Sequence, residues 1–134
     1  MIPAVVVDTA IVYFLYKHDT RALLYRSHPD DKLLLISFMT IAELDRWALE
    51  RRWGEKRRHD LEKFLERFAL MECSRILCLK WAEATYGAKQ NGRPIGPADA
   101  WIAATALLQD IPLVTHNRTD YLGVAGLKLI SELP

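Results

Sequence analysis

Apolar positions along this chain fall into two kinds of run. Val5-Val6-Val7, Leu33-Leu34-Leu35-Ile36 and Ala69-Leu70-Met71 are short and continuous, and Pro112 to Thr115 and Leu127 to Ile130 are close to it. In Val5–Val7 and Leu33–Ile36 such a run predicts a strand covered on both faces; the other three read as further short strands. Between them, apolar residues recur at helical spacing. Ala10 to Lys17 places Ile11, Phe14 and Leu15 on one side, directly after Asp8-Thr9 closes the first strand. Asp19-Thr20 is positioned to cap a short helix, Arg21 to Arg26, ahead of the polar turn His28 to Asp31. A helix opening at Ser37 or Thr40 reaches about Trp53, where Gly54 breaks it. Glu55 to Phe68 carries Leu61, Phe64, Leu65 and Phe68 at i, i+3, i+4 and i+7. Arg75 to Lys89 carries Leu77, Trp81, Ala84 and Ala88 on one stripe, followed by the loop Gln90 to Pro94.

One helix breaks the amphipathic rule. Gly96 turns the chain, Pro97 suits the first helical position, and Ala100-Trp101-Ile102-Ala103-Ala104 with Ala106-Leu107-Leu108 leaves almost no polar face before Gln109. A helix apolar all round is normally buried. Asp99 therefore stands in the first turn of a core helix. Attraction to the positive helix N-terminus is one reason for a carboxylate there; metal binding is the other, if further acids converge on it.

Strands alternating with helices predict an α/β fold with a mainly parallel sheet covered by helices. At 134 residues the chain reads as one domain, 1–134, long enough for a sizeable core. The hydrophobic fraction of 51% excludes a disordered chain, and a net charge of +1 excludes global attraction to polyanions. No apolar run approaches the ~20 residues of a membrane span, and the N-terminus lacks the pattern of a signal peptide. Cys73 and Cys78 have no partners at zinc spacing and are expected to be reduced and structural, in a cytoplasmic protein.

In parallel sheets, ligands bind beyond the carboxyl ends of the strands. Four acids are placed to face that edge: Asp8 after the first strand, Glu43 in the helix after the second, Asp99, and Asp120 in the loop after Thr115. Each has a bland reading. Asp8 and Asp120 suit turns or caps, and Thr40-Ile41-Ala42-Glu43 fits a capping box. Taken together they point to one function. Clustered carboxylates repel, and burial adds to the penalty. A divalent cation removes it, and an oxygen-only ligand set suits Mg²⁺ or Mn²⁺ rather than zinc. Such ions activate a water and stabilise the leaving oxygen of a phosphodiester. Thr9, Thr115 and Asn117 are the supporting polar candidates.

Val6-Val7-Asp8-Thr9, Thr40-x-x-Glu43-Leu44, Pro97-Ala98-Asp99-Ala100-x-Ile102-Ala103-Ala104-Thr105-Ala106 and Thr115-x-Asn117-x-x-Asp120-Tyr121 resemble the motifs of PIN-domain ribonucleases, in their order. The likeness is greatest to VapC toxins of type II toxin–antitoxin pairs and spans roughly residues 4 to 131. The resemblance implies a PIN-like three-layer α/β/α sandwich with a protruding helical hairpin. It implies a Mg²⁺- or Mn²⁺-dependent endoribonuclease cutting structured RNA, with Asp8, Glu43, Asp99 and Asp120 as catalytic, metal-binding acids. A cognate antitoxin and a homodimer are also implied. Two positions depart from the pattern: Ala10 stands where Asn is common and His116 where Arg is common.

Residues 43 to 67 hold eight Lys/Arg against seven Asp/Glu, which reads mostly as a solvated helical face. Arg51, Arg52, Lys56, Arg57 and Arg58 crowd the hairpin tip around Gly54, but Lys89 and Arg93, leading to Asp99, are the better candidates for RNA contact. Trp47 and Trp53 read as core residues or as a groove for a partner helix. A phosphate-accepting receiver domain fits poorly, because Asp8 has no acidic neighbour; a haloacid-dehalogenase-type phosphatase would need an acid where Ala10 stands. The alternatives that remain are a PIN ribonuclease for RNA processing without antitoxin, and a non-catalytic PIN binding module.

Overall fold

The computed structural model describes residues 3–17 and 32–131; the expected Arg21–Arg26 helix and the His28–Asp31 turn lie outside them. Five strands form one sheet: β1 (Ala4–Val7), β2 (Leu33–Ser37), β3 (Ala69–Met71), β4 (Leu113–Val114) and β5 (Leu129–Ile130). Their order is β3-β2-β1-β4-β5 and every pairing is parallel. The central strand is the β-branched run. Val6 pairs with Leu35 on one side and Leu113 on the other, and Val5, Val6 and Val7 are buried.

The pleat divides the core in two. Val5, Val7, Ile36 and Val114 meet α1 (Thr9–Lys17), α2 (Phe38–Glu50) and α3 (Glu55–Leu65) through Ile11, Phe14, Leu44 and Leu61. Val6, Leu35 and Leu113 meet α4 (Arg75–Gln90) and α5 (Pro97–Gln109) through Ala84, Ala88, Ile102 and Ala103. Successive strand residues face opposite sides, so one continuous apolar run feeds both layers. The helical hairpin α2–α3 lays its apolar side on the sheet and exposes its tip at Arg51, Arg52 and Gly54.

Local chemistry accounts for the boundaries. Ser37 caps α2, accepting from the Met39 N–H at 3.0 Å; Thr40 lies inside the helix, so no capping box forms with Glu43. The helix stops at Glu50, short of Trp53, because Arg52 turns the chain with φ 54°. The third helix ends at Leu65 rather than Phe68, as the chain tightens toward β3. Gly96 and Pro97 open α5, as the pattern predicts, and Ala100 and Ile102 to Ala106 are buried. The cysteines are free; Cys73 is exposed rather than part of the core.

Candidate active site

Because all strands run one way, β1, β2 and β4 end at the same edge of the sheet. The strand order reverses between β1 and β4, and that is where open α/β sheets bind ligands. Asp8 sits there. Its N–H donates to the Val114 carbonyl at 3.0 Å, which fixes the backbone against β4. Its side chain is held twice: Oδ1 accepts from the Ile11 N–H at 3.0 Å, and Oδ2 from the Thr115 hydroxyl. Thr115 in turn accepts from the Asn117 N–H at 3.0 Å. Asp8 is thus both the cap of α1 and a buried acid; the two readings are compatible. Burial pushes its carboxyl up to about 6, helped by the charges of Asp99 and Glu43 and opposed by the Thr115 and Ile11 hydrogen bonds.

Glu43 reaches the same place from the second turn of α2. Thr9, the first residue of α1, donates to Glu43 Oε1 at 2.7 Å. Its oxygen lies 2.9 Å from the Thr40 hydroxyl. A hydroxyl has one proton to give, so Thr40 donates to Thr9 and Thr9 to Glu43. Asp99 enters from the first turn of α5, whose start is held by the Trp81 indole N–H donating to the Pro97 carbonyl at 3.1 Å. Burial and the charges of Asp120 and Glu43 hold the Asp99 carboxyl above its ordinary range.

Asp8, Glu43 and Asp99 line one cavity of about 130 Å³, together with Thr9, Asn117 and Tyr121. Three of the four sequence-predicted acids are therefore brought together. Asp120 is not among the lining residues. It sits exposed on a 3-10 turn (Arg118–Tyr121) at the rim, near enough for its charge to act on Asp99 and Tyr121. Thr115 lies behind Asp8 rather than in the cavity wall. Lys89 and Arg93 are exposed and outside the wall: Lys89 in the last turn of α4, Arg93 in the loop before α5. That loop docks on the segment after Asp120, with the Asn91 amide donating to the Gly123 carbonyl at 2.9 Å.

Two residues of the wall are not among the site residues predicted from sequence. Tyr121 is buried, and its hydroxyl donates to Asp99 Oδ1 at 3.4 Å. Burial and the charges of Asp8, Asp99, Glu43 and Asp120 all hold that hydroxyl in its protonated form, so one phenol senses all four acids. Trp47, half-buried, closes the side toward the hairpin. A tyrosine directly after Asp120 and a tryptophan one turn after Glu43 were the available signals.

The donor chemistry fits a hard divalent cation: carboxylates, hydroxyls and an amide, with neither Cys nor His in the wall. Burial first, and the neighbouring acids second, raise the Asp8 and Asp99 carboxyls, and a cation would act in the opposite direction. Among the described residues, no three acids are drawn close enough to enclose an ion by themselves. A shell completed largely by water matches the habit of Mg²⁺.

A PIN-domain family model matches residues 5–125. Ribonuclease VapC1 of Haemophilus influenzae strain R2866 is 32% identical over 124 residues, covering 90% of this chain and 92% of that protein. This chain is a PIN-domain protein of the VapC family. Solved structures agree in fold. VapBC-1 from nontypeable Haemophilus influenzae superposes with a TM-score of 0.81 at 28% identity, covering 96% of this chain and 98% of the other. VapBC2 from Rickettsia felis, bound to a DNA fragment from its promoter, gives 0.83 at 22% identity over 96% and 98%. The expected PIN-like α/β architecture is thus the observed one. In this VapC-family chain the departures at Ala10 and His116 leave the acids in place: Ala10 lines the cavity and His116 packs edge-on against Phe14, with ring centroids 5.2 Å apart. No helix among the described residues is long and apolar enough to cross a membrane.

Proposed function

We propose that this protein is a metal-dependent endoribonuclease and the toxin of a toxin–antitoxin pair. It hydrolyses RNA phosphodiester bonds, and Asp8, Glu43 and Asp99 in the cavity wall, with Asp120 at its rim, would hold the Mg²⁺ or Mn²⁺. The observation that carries this reading is the convergence of three acids, from distant parts of the chain, on one cavity beyond the sheet's carboxyl edge. When bound, the cation supplies positive charge at the scissile phosphate and makes water acidic enough to attack.

The chain's own residues do the positioning. Thr115 and the Ile11 N–H aim Asp8, Thr9 aims Glu43, and Tyr121 holds Asp99. Water oxygen bonds to phosphorus, the bond to the 3′ oxygen breaks, and that oxygen takes a proton. The products carry a 5′-phosphate and a 3′-hydroxyl. Lys89 and Arg93 hold RNA beside the acids, Arg93 from the loop docked on Gly123. A cognate antitoxin blocks the cavity, the toxin works as a homodimer, and both act in the cytoplasm.

The test is an RNA-cleavage assay in Mg²⁺ with Asp8→Asn and Asp99→Asn. Both should lose cleavage by orders of magnitude; full activity in either would end the assignment. A chain that binds Mn²⁺ but cleaves no RNA would favour the non-catalytic module. A cleaving chain that no neighbouring gene product inhibits would favour the RNA-processing nuclease.

A further inference from the structure

The faces that α1 and α2 turn toward each other read as matched rungs. Thr9, Tyr13 and Lys17 follow at intervals of four on α1; Glu43 and Trp47 do so on α2, with Arg51 at its C-terminal cap. Residues four apart share a helix face; contacts pair the first two rungs, and both cations of the third lean back on Tyr13. Thr9 bonds Glu43 at 2.7 Å. The Tyr13 ring meets the Trp47 ring edge-on at 5.4 Å. The Arg51 guanidinium lies over both rings, 5.0 Å from Tyr13 and 5.4 Å from Trp47, and donates to the Tyr13 hydroxyl at 2.7 Å. The Lys17 ammonium also lies over the Tyr13 ring, 5.2 Å from its centroid. The helices therefore run side by side from the acid cavity outward, and chemistry changes turn by turn from acid to aromatic to cation.

The first rung is the cavity wall, and Trp47 belongs to both the wall and the second rung. The third rung lies about two helical turns from Glu43, or ~11 Å along the axis. Among the described residues neither Arg51 nor Lys17 is in an ion pair with a carboxylate. Their charges rest on ring faces, which fixes the guanidinium plane while leaving N–H donors at its edge. Beyond them, Arg57 covers Trp53 at 4.0 Å, itself stacked on Tyr13 at 6.3 Å and 16°. Single-stranded RNA is bound by this combination, with bases against aromatic rings or guanidinium planes and phosphates on basic groups.

We infer that the α1–α2 cleft is the track along which single-stranded RNA enters the acid cavity, with a base against Trp47 and an adjacent phosphate on Arg51 and Lys17. The inference rests on the nuclease reading and adds which residues hold the strand. It assigns RNA contact to the inner side of the hairpin, ahead of Lys89 and Arg93.

The experiment uses the full chain carrying Asp99→Asn, which should hold RNA without cutting it. Two fluorescein-labelled probes are titrated over a range of salt: a single-stranded 12-nucleotide oligoadenylate, and a 12-nucleotide strand whose sugars carry no bases. The oligoadenylate should bind about tenfold more tightly, the size of one stacked base. Arg51→Ala should weaken both probes and reduce the salt slope by about one. Trp47→Leu should erase the advantage of the bases and leave the baseless strand unchanged, and Trp47→Phe should restore part of it. Equal affinity for both probes, no binding of either, or a salt slope unmoved by Arg51→Ala would overturn the inference. So would variants that bind RNA normally but lose the antitoxin, since the cleft would then be a protein-docking groove. Cleavage by the unsubstituted chain is measured in parallel. If it cleaves while the cleft variants bind RNA as before, this inference falls and the nuclease stands; if it does not cleave, the nuclease reading falls first.

Discussion

Thr9 and Glu43, separated by 34 residues of chain, are joined by a hydrogen bond of 2.7 Å. The bond ties the first turn of α1 to the second turn of α2 and sets which way the Glu43 carboxylate faces. Thr40 completes the chain by donating to Thr9. An acid aimed by a neighbour is a better ligand than one free to rotate, and loss of such supporting partners typically costs ~10–100-fold in metal affinity.

Thr9→Val keeps the shape and removes the hydroxyl. Mn²⁺ affinity, measured by calorimetry, should fall by about tenfold or more, and Thr9→Ser should recover most of it. Unchanged affinity in Thr9→Val would show that Glu43 needs no such support.

The acids predict a pH dependence of stability once divalent ions are stripped with EDTA. Asp8 is raised from 3.8 to about 6. Between those values the folded chain keeps a proton that the unfolded chain has released. Stability therefore falls as pH rises through this window, by at most about 3 kcal/mol from Asp8 alone, and stays low above it. Asp99 is shifted in the same direction. Thermal melts in EDTA should show a lower Tm at pH 7 than at pH 5. Asp8→Asn should flatten the trend, and Mg²⁺ should raise the Tm of the unsubstituted chain at pH 7. An equally steep trend in Asp8→Asn would remove Asp8 as its source.

Tyr121→Phe separates the ring's packing from its hydroxyl. The ring fills the core between α5 and the 3-10 turn. Its hydroxyl stabilises the ionised Asp99. Stability should change by no more than about 1 kcal/mol, while Asp99 becomes harder to ionise. Cleavage should fall several-fold, more at pH 6 than at pH 8. Equal loss at both pH values would mean that the hydroxyl acts otherwise.

Gly123 is the contact between the Asp120 turn and the loop carrying Arg93. A Cβ there would lie 2.2 Å from the Arg93 carbonyl oxygen and 2.9 Å from its Cβ. The obstacle is backbone, so Gly123→Ala must displace the loop. We expect a loss of about 1–3 kcal/mol in denaturant melts. RNA affinity should also weaken to the extent that Arg93 contributes, an effect that Arg93→Ala reproduces without destabilising the fold.

Local sequence determined most of the scaffold. Val5 to Val7 had to be a strand covered on both faces, because three β-branched residues run with no polar alternate; its central place came from the sheet order. The apolar run behind Pro97 had to be a buried helix, and Asp99 had to stand at its mouth. Motif order carried the family. What local pattern left open was decided by contacts between distant residues. Thr40 and Glu43 fit a capping box equally well on paper; Ser37 took the cap, which freed Thr40 to reach Thr9 and Glu43 to face the cavity. Tyr121 and Trp47 look like ordinary core residues in sequence, and only the approach of α5 and α1 gives each a wall of the acid site. Asp120 carried as strong a motif as Asp99, yet the exposed 3-10 turn holds it at the rim. Periodicity reports which side of an element is apolar; the meeting of side chains from different elements depends on how those elements pack, and no stretch of chain encodes that alone.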